Sequence, residues 1–88
     1  ARITSAGSRN PGTTIRYRLA TPGEVELAIY DVLGRRVRTL AQGKQEAGTH
    51  TAHWDGRDEQ GQVVGTGIYL YRLQAGKRVQ VRRMVVIH

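Results

Sequence analysis

Between Thr13 and Ile29 the chain alternates apolar and polar residues in two short runs split by Pro22 and Gly23, and this rhythm limits what it can fold into. In Thr13-Thr14-Ile15-Arg16-Tyr17-Arg18-Leu19, Ile15, Tyr17 and Leu19 fall on one face and Arg16 and Arg18 on the other. In residues 24–31, Val25, Leu27 and Ile29 share a face opposite Glu24, Glu26, Ala28 and Tyr30. Successive side chains of a strand point to opposite sides, so a period of two predicts half-buried strands. No stretch carries an amphipathic helical period over three turns.

The pattern recurs to the end. Residues 35–41 predict a short, arginine-rich strand near a sheet edge. Thr49-His50-Thr51-Ala52-His53-Trp54 sets His50, Ala52 and Trp54 against Thr49, Thr51 and His53. Residues 68–73 and 78–87 form two closing strands joined by a tight hairpin at Gln74-Ala75-Gly76-Lys77. Pro22-Gly23 suits the centre of a type II turn, and Asp31-Val32-Leu33-Gly34 is a turn in which the Asp carboxylate accepts backbone N–H groups. Residues 42–48 read as a polar loop and residues 55–62 as a second polar turn. With a short strand near residues 2–4, the total is about seven antiparallel strands and no helix. That spacing predicts an all-β fold, an immunoglobulin-like or fibronectin type III-like β-sandwich. The 88 residues make one domain: residues 1–12 a leading linker held by Pro11, and residues 13–88 the sandwich.

The final strand has two phases. Val79, Val81, Arg83, Val85 and Ile87 lie on one face, and Arg78, Gln80, Arg82, Met84 and Val86 on the other. A bulge near Arg82-Arg83 would turn Met84 and Val86 inward; without one they form an exposed apolar surface. In both cases the C-terminal strand is an integral part of the fold, and its loss unfolds the domain.

Several function classes receive no support. Net charge is +7 and twelve of the fourteen basic residues are arginine, but Arg16, Arg18, Arg78 and Arg82 alternate with apolar residues as solvent faces of strands do. No RNA-binding sheet signature or basic helix accompanies them, so a protein or an anionic envelope partner fits this charge better than nucleic acid. There is no cysteine. His50 and His53, three apart in a strand, face opposite ways and cannot share a metal, and His88 is remote. Asp55, Asp58 and Glu59 lack the spacing of a calcium loop and read as turn residues. Ser5 and Ser8 have no base nearby. The expectation is a non-catalytic module with no cofactor, no metal and no membrane insertion. Trp54, Tyr30, Tyr69 and Tyr71 raise a sugar-stacking platform, but a chain without phenylalanine needs its tryptophan for the core. The chain begins at Ala1, and the expectation is a piece of a longer polypeptide with any export signal upstream.

Five motifs in order carry a resemblance: Asn10-Pro11 before Thr13-Thr14-Ile15-Arg16-Tyr17; Ile29-Tyr30-Asp31-Val32-Leu33-Gly34; Trp54-Asp55-Gly56; Gly67-Ile68-Tyr69; and Arg83-Met84-Val85-Val86. Together they resemble the C-terminal sorting domains of the type IX secretion system, which are themselves similar to the immunoglobulin-like module of the flagellar hook-capping protein. The resemblance runs from about Arg9 to His88. It departs where Gly12 directly follows Pro11 and where Arg83 stands for the commoner lysine.

The resemblance implies a sorting domain at the end of a larger secreted cargo, often a peptidase or polysaccharide hydrolase. Its partners are then an outer-membrane translocon and a sortase-like peptidase, and its route runs through the periplasm to the cell surface or medium. Cleavage is expected near residues 1–8. Gly67, Tyr69, Arg82, Arg83, Met84, Val85 and Val86 become the sorting-signal motifs, with Gly67 allowing close backbone approach and Tyr69 anchoring the hairpin. Asn10, Pro11, Asp31, Gly34, Trp54, Asp55 and Gly56 become structural turns. The alternatives are a structural immunoglobulin-like spacer, or a carbohydrate-binding module of a secreted multidomain enzyme. A weak dimer through an edge strand is a further expectation.

Overall fold

A computed structural model describes the backbone of residues 2–8 and the whole of residues 12–87. Six strands lie between Thr13 and Val86: β2 (Thr13–Leu19), β3 (Gly23–Asp31), β4 (Arg36–Gln45), β5 (Gly48–Trp54), β6 (Gly67–Ala75) and β7 (Arg78–Val86). A further strand, β1 (Arg2–Ser8), precedes them. They form two antiparallel sheets, ordered β1-β2-β5 and β4-β3-β6-β7. The connections β2 to β3, β4 to β5 and β5 to β6 pass from one sheet to the other.

The period of two does the folding work. Strand β2 alternates buried and exposed at every residue, as its sequence requires. Ile15, Tyr17 and Leu19 from one sheet meet Val25, Leu27, Ile29, Tyr71 and Leu73 from the other in a single buried cluster that also holds Trp54. Burial raises the Tyr17 phenol above its ordinary pKa, and its hydroxyl donates to Gln45 Oε1 at 2.7 Å.

Several local expectations change. Gly23 does not take the positive φ of a type II turn; it is the first residue of β3 and pairs with Gln45. Residues 42–45, expected in a polar loop, continue β4 and pair with Gly23 to Glu26. Their one inward polar side chain, Gln45, is the partner of the buried Tyr17 hydroxyl, so polarity there does not signal a loop. Residues 5–8, expected in the leading linker, extend β1, which pairs with β2 from Arg2↔Arg18 to Ser8↔Thr13. The segment expected for cleavage therefore overlaps a paired strand at residues 2–8.

The last strand resolves its two phases in a third way. The β6–β7 ladder runs without a shift from Ala75↔Arg78 to Gly67↔Val86, so there is no bulge at Arg82-Arg83. Met84 and Val86 nevertheless pack against the core. The outward face is the one carrying Val79, Val81, Arg83 and Val85, all exposed. The inward face is polar where it starts, at Arg78, Gln80 and Arg82, because β7 is the margin of its sheet and meets the core only near its end.

Candidate functional site

The registers bring the scattered motifs to one end of the molecule. Thr13 pairs with Trp54, Asp31 with Tyr69, and Tyr69 with Met84. The β3–β4 turn, the β5–β6 loop and the end of β7 therefore lie together. Asn10 and Pro11 fall outside the described residues.

Asp31 organises the first turn. Its Oδ1 accepts the N–H groups of Leu33 and Arg35, each at 2.9 Å, and Oδ2 receives the Arg35 guanidinium at 2.8 Å. Gly34 N–H donates to the Asp31 carbonyl, and Gly34 supplies the positive φ that closes the turn. The backbone N–H of Arg35, foremost, holds the Asp31 carboxyl below its ordinary pKa, with the Arg35 side chain and Leu33 N–H adding to it.

Asp58 repeats this turn. Its Oδ1 accepts from Gln60 and Gln62, each at 3.0 Å, while Gly61 N–H donates to the Asp58 carbonyl and Gly61 takes a positive φ. Residues 55–62 are expected as a turn, and the spacing Asp58-x-x-Gly61, shared with Asp31-x-x-Gly34, is the sequence signal for its geometry.

Trp54 is the pivot between the sheets. It is 1% exposed, donates from Nε1 to the Arg57 carbonyl at 2.9 Å, and packs edge-on against Tyr69 at 5.8 Å between centroids. Asp55 Oδ1 accepts from Arg57 N–H and pairs with Arg38 at 3.2 Å. Glu59 Oε1 accepts Thr39 N–H at 2.7 Å, and Glu59 N–H donates to the Val37 carbonyl. These bonds strap residues 55–59 onto β4. A tryptophan sealed inside this strap offers no face to a sugar ring, and Tyr71 is buried as well.

The carboxylates Asp31, Asp55, Asp58 and Glu59 are thus acceptors for backbone N–H groups. Among the described residues no group of three or more His, Cys, Asp or Glu side chains could hold a metal ion. His50 stacks on Tyr17 and bonds the Glu46 carbonyl at 2.7 Å. His53 meets Thr14 Oγ1 at 3.2 Å on the opposite face, as the sequence required.

Of the expected sorting residues, Tyr69 packs against the core and donates its hydroxyl to the Gly65 carbonyl at 2.8 Å. Arg82, Arg83 and Val85 are exposed. Gly67 does not have the role expected of it: a methyl group there would meet nothing within 4 Å, and its φ is not positive. The close approach occurs instead at Gly12. Its φ is +105°, and an added Cβ would overlap the Trp54 carbonyl oxygen and lie 2.8 Å from His53 Nε2. Gly12→Ala is expected to cost about 1–3 kcal/mol from backbone strain alone, with the Trp54 overlap adding to it. Gly67→Ala is expected to stay within about 0.5 kcal/mol of the parent. Urea unfolding midpoints of the two variants check this contrast.

Charge and burial also set a pH window. Asp31 is lowered on folding, so its contribution is present above the ordinary carboxylate pKa and is lost as pH falls through the folded value. Tyr17 and Tyr71 are raised on folding, mainly by burial, so their contribution is lost as pH rises past the ordinary tyrosine pKa. Melting temperatures are expected to plateau near neutrality and to fall on both flanks. Asp31→Asn should flatten the acid flank alone.

The comparisons agree with this architecture. The FlgD Ig-like domain family matches residues 3–78. The basal-body rod modification proteins FlgD of Salmonella typhimurium and Salmonella typhi are each 39% identical to this chain over 64 residues, covering 72% of the chain. The chain spans only 28% of the length of each. Among solved structures, FlgD from P. aeruginosa is similar with a TM-score of 0.68 at 22% identity, covering 96% of this chain and 66% of that one. PorZ, a bacterial surface component of the type IX secretion system of Porphyromonas gingivalis, is similar with a TM-score of 0.63 at 25% identity, over 89% of this chain and 10% of PorZ. The chain belongs to the FlgD Ig-like domain family.

Proposed function

We propose that this chain is a non-catalytic immunoglobulin-like module, built as a β-sandwich, that acts through protein–protein contact as the delivery domain of a larger secreted cargo. The observation carrying this reading is the placement of the C-terminal hairpin. Strand β6 lies inside its sheet between β3 and β7, and Met84 and Val86 of β7 pack against the core. An address read after folding has to keep its shape, and a hairpin built into the sheet keeps it. The five motifs and the likeness to PorZ favour a type IX setting; in that setting an outer-membrane translocon and a sortase-like peptidase are the partners the resemblance implies. Transit then runs from the periplasm to the cell surface or medium.

The matches to FlgD favour a second reading, a structural spacer or assembly module with no export role. One experiment separates the two. Residues 1–88 are fused behind a periplasmic reporter in a host carrying the type IX machinery. The delivery reading expects the reporter at the surface or in the medium, and lost from there when the machinery is deleted. A reporter retained in the periplasm leaves the spacer reading.

A further inference from the structure

Strand β7 ends its sheet, and among the described residues no strand neighbours its outer side. Natural edges are blunted by shortness, bulges, proline or charge. This edge has nine residues, no proline and an unshifted ladder, so charge alone protects it. Its charges, Arg78, Arg82 and Arg83, and that of Lys77 in the turn before it, all have one sign. Two copies of β7 pairing antiparallel about Arg82 would set Arg82 against Arg82, and directly opposed like charges destabilise a strand pair. That register is disfavoured between copies, whereas an anionic strand meets a complementary charge along the whole edge.

The outward face next to this edge is apolar. Val79, Val81 and Val85 are 49%, 51% and 54% exposed, and Ile68, paired with Val85, is 43% exposed. Arg83 stands between Val81 and Val85 on the same face. Arg72, paired with Val81, borders a hollow of about 290 Å³ shared with Tyr30, Gly34, Leu70 and Val81. Among the described residues, no carboxylate lies within ion-pair distance of Arg72 or Arg83.

We propose that β7 receives a strand from an acidic, apolar protein partner along its free edge, with Arg83 pairing a carboxylate and Val79, Val81 and Val85 meeting apolar residues. Main-chain bonds supply affinity in such strand addition and alternate side chains supply specificity. An antiparallel partner then reads apolar, x, acidic, x, apolar, x, apolar opposite Val85, Arg83, Val81 and Val79. The inference deepens the delivery reading, on which it rests for the hairpin as the recognised element.

The probe is a fluorescein-labelled peptide, Val-Thr-Glu-Thr-Val-Thr-Val, titrated with residues 1–88 and followed by anisotropy. Saturable binding is expected. Arg83→Glu should weaken it about tenfold, since attraction becomes repulsion, and a peptide with Lys in place of Glu should recover binding to that variant. Arg83 is exposed, so the variant should keep the parent's melting temperature. Equal binding of both peptides to the parent and the variant would overturn the proposal, as would the absence of saturable binding to the parent, or a parent dimer in sedimentation held through β7. The reporter fusion is scored separately. Peptide binding with periplasmic retention removes the delivery reading and keeps this edge; export without peptide binding does the reverse.

Discussion

A chain ending at Lys77 is expected not to fold. Removing β7 strips nine consecutive register pairs from β6 and takes Met84 and Val86 off the core. A net hydrogen bond contributes about 0.5–1.5 kcal/mol, and a fully buried Val or Met side chain about 1.5–3 kcal/mol, an upper bound for two half-buried residues. Domains are stable by roughly 0.05–0.15 kcal/mol per residue, so 88 residues have only a few to about a dozen kcal/mol to lose. The truncation removes a comparable amount and also opens the edge of β6, the strand that holds Tyr71 and Leu73 in the core. Far-ultraviolet circular dichroism of the shortened chain should show no cooperative melt. A melt within a few degrees of the parent would mean that β7 is an accessory.

Trp54→Ala is the second large effect. Truncating a buried tryptophan costs about 3–5 kcal/mol, and here three supports fail together. A cavity opens in the buried cluster, the edge contact to Tyr69 disappears, and the Arg57 carbonyl loses its indole donor and keeps only the Arg38 guanidinium. Trp54→Phe keeps most of the volume but not the donor, so it should fall between the parent and the alanine variant. Urea unfolding of the three proteins orders them. A Trp54→Ala variant within about 1 kcal/mol of the parent would show that the strap does not depend on this side chain.

The core was legible because it obeys a period of two. Ile15, Tyr17 and Leu19, then Val25, Leu27 and Ile29, point inward as their spacing requires. Turns with their own chemistry were legible too: Asp31 and Gly34 close theirs through a carboxylate and a positive φ. Where one residue answered to distant parts of the chain, sequence reasoning failed. Gln45 is polar yet belongs to a strand, because Tyr17, far away in sequence, needs its oxygen. Gly12 matters because Trp54's carbonyl reaches it across the fold, while Gly67, conspicuous beside its motif, faces open space. In β7 the apolar count misled: the richer face is outside, and two residues at the strand's end do the packing. Of the site, the turn residues could be read, but their convergence at one end follows from register, which alternation alone does not fix.

The proposed delivery role requires the terminal hairpin to belong to the cooperative body of the fold, and native-state hydrogen exchange measures this. Amides of β7 that bond to β6 should open with the same free energy as those in the middle of β3, as one cooperative unit. Exchange of the β7 amides by a separate opening several kcal/mol cheaper, with β3 still protected, would contradict it.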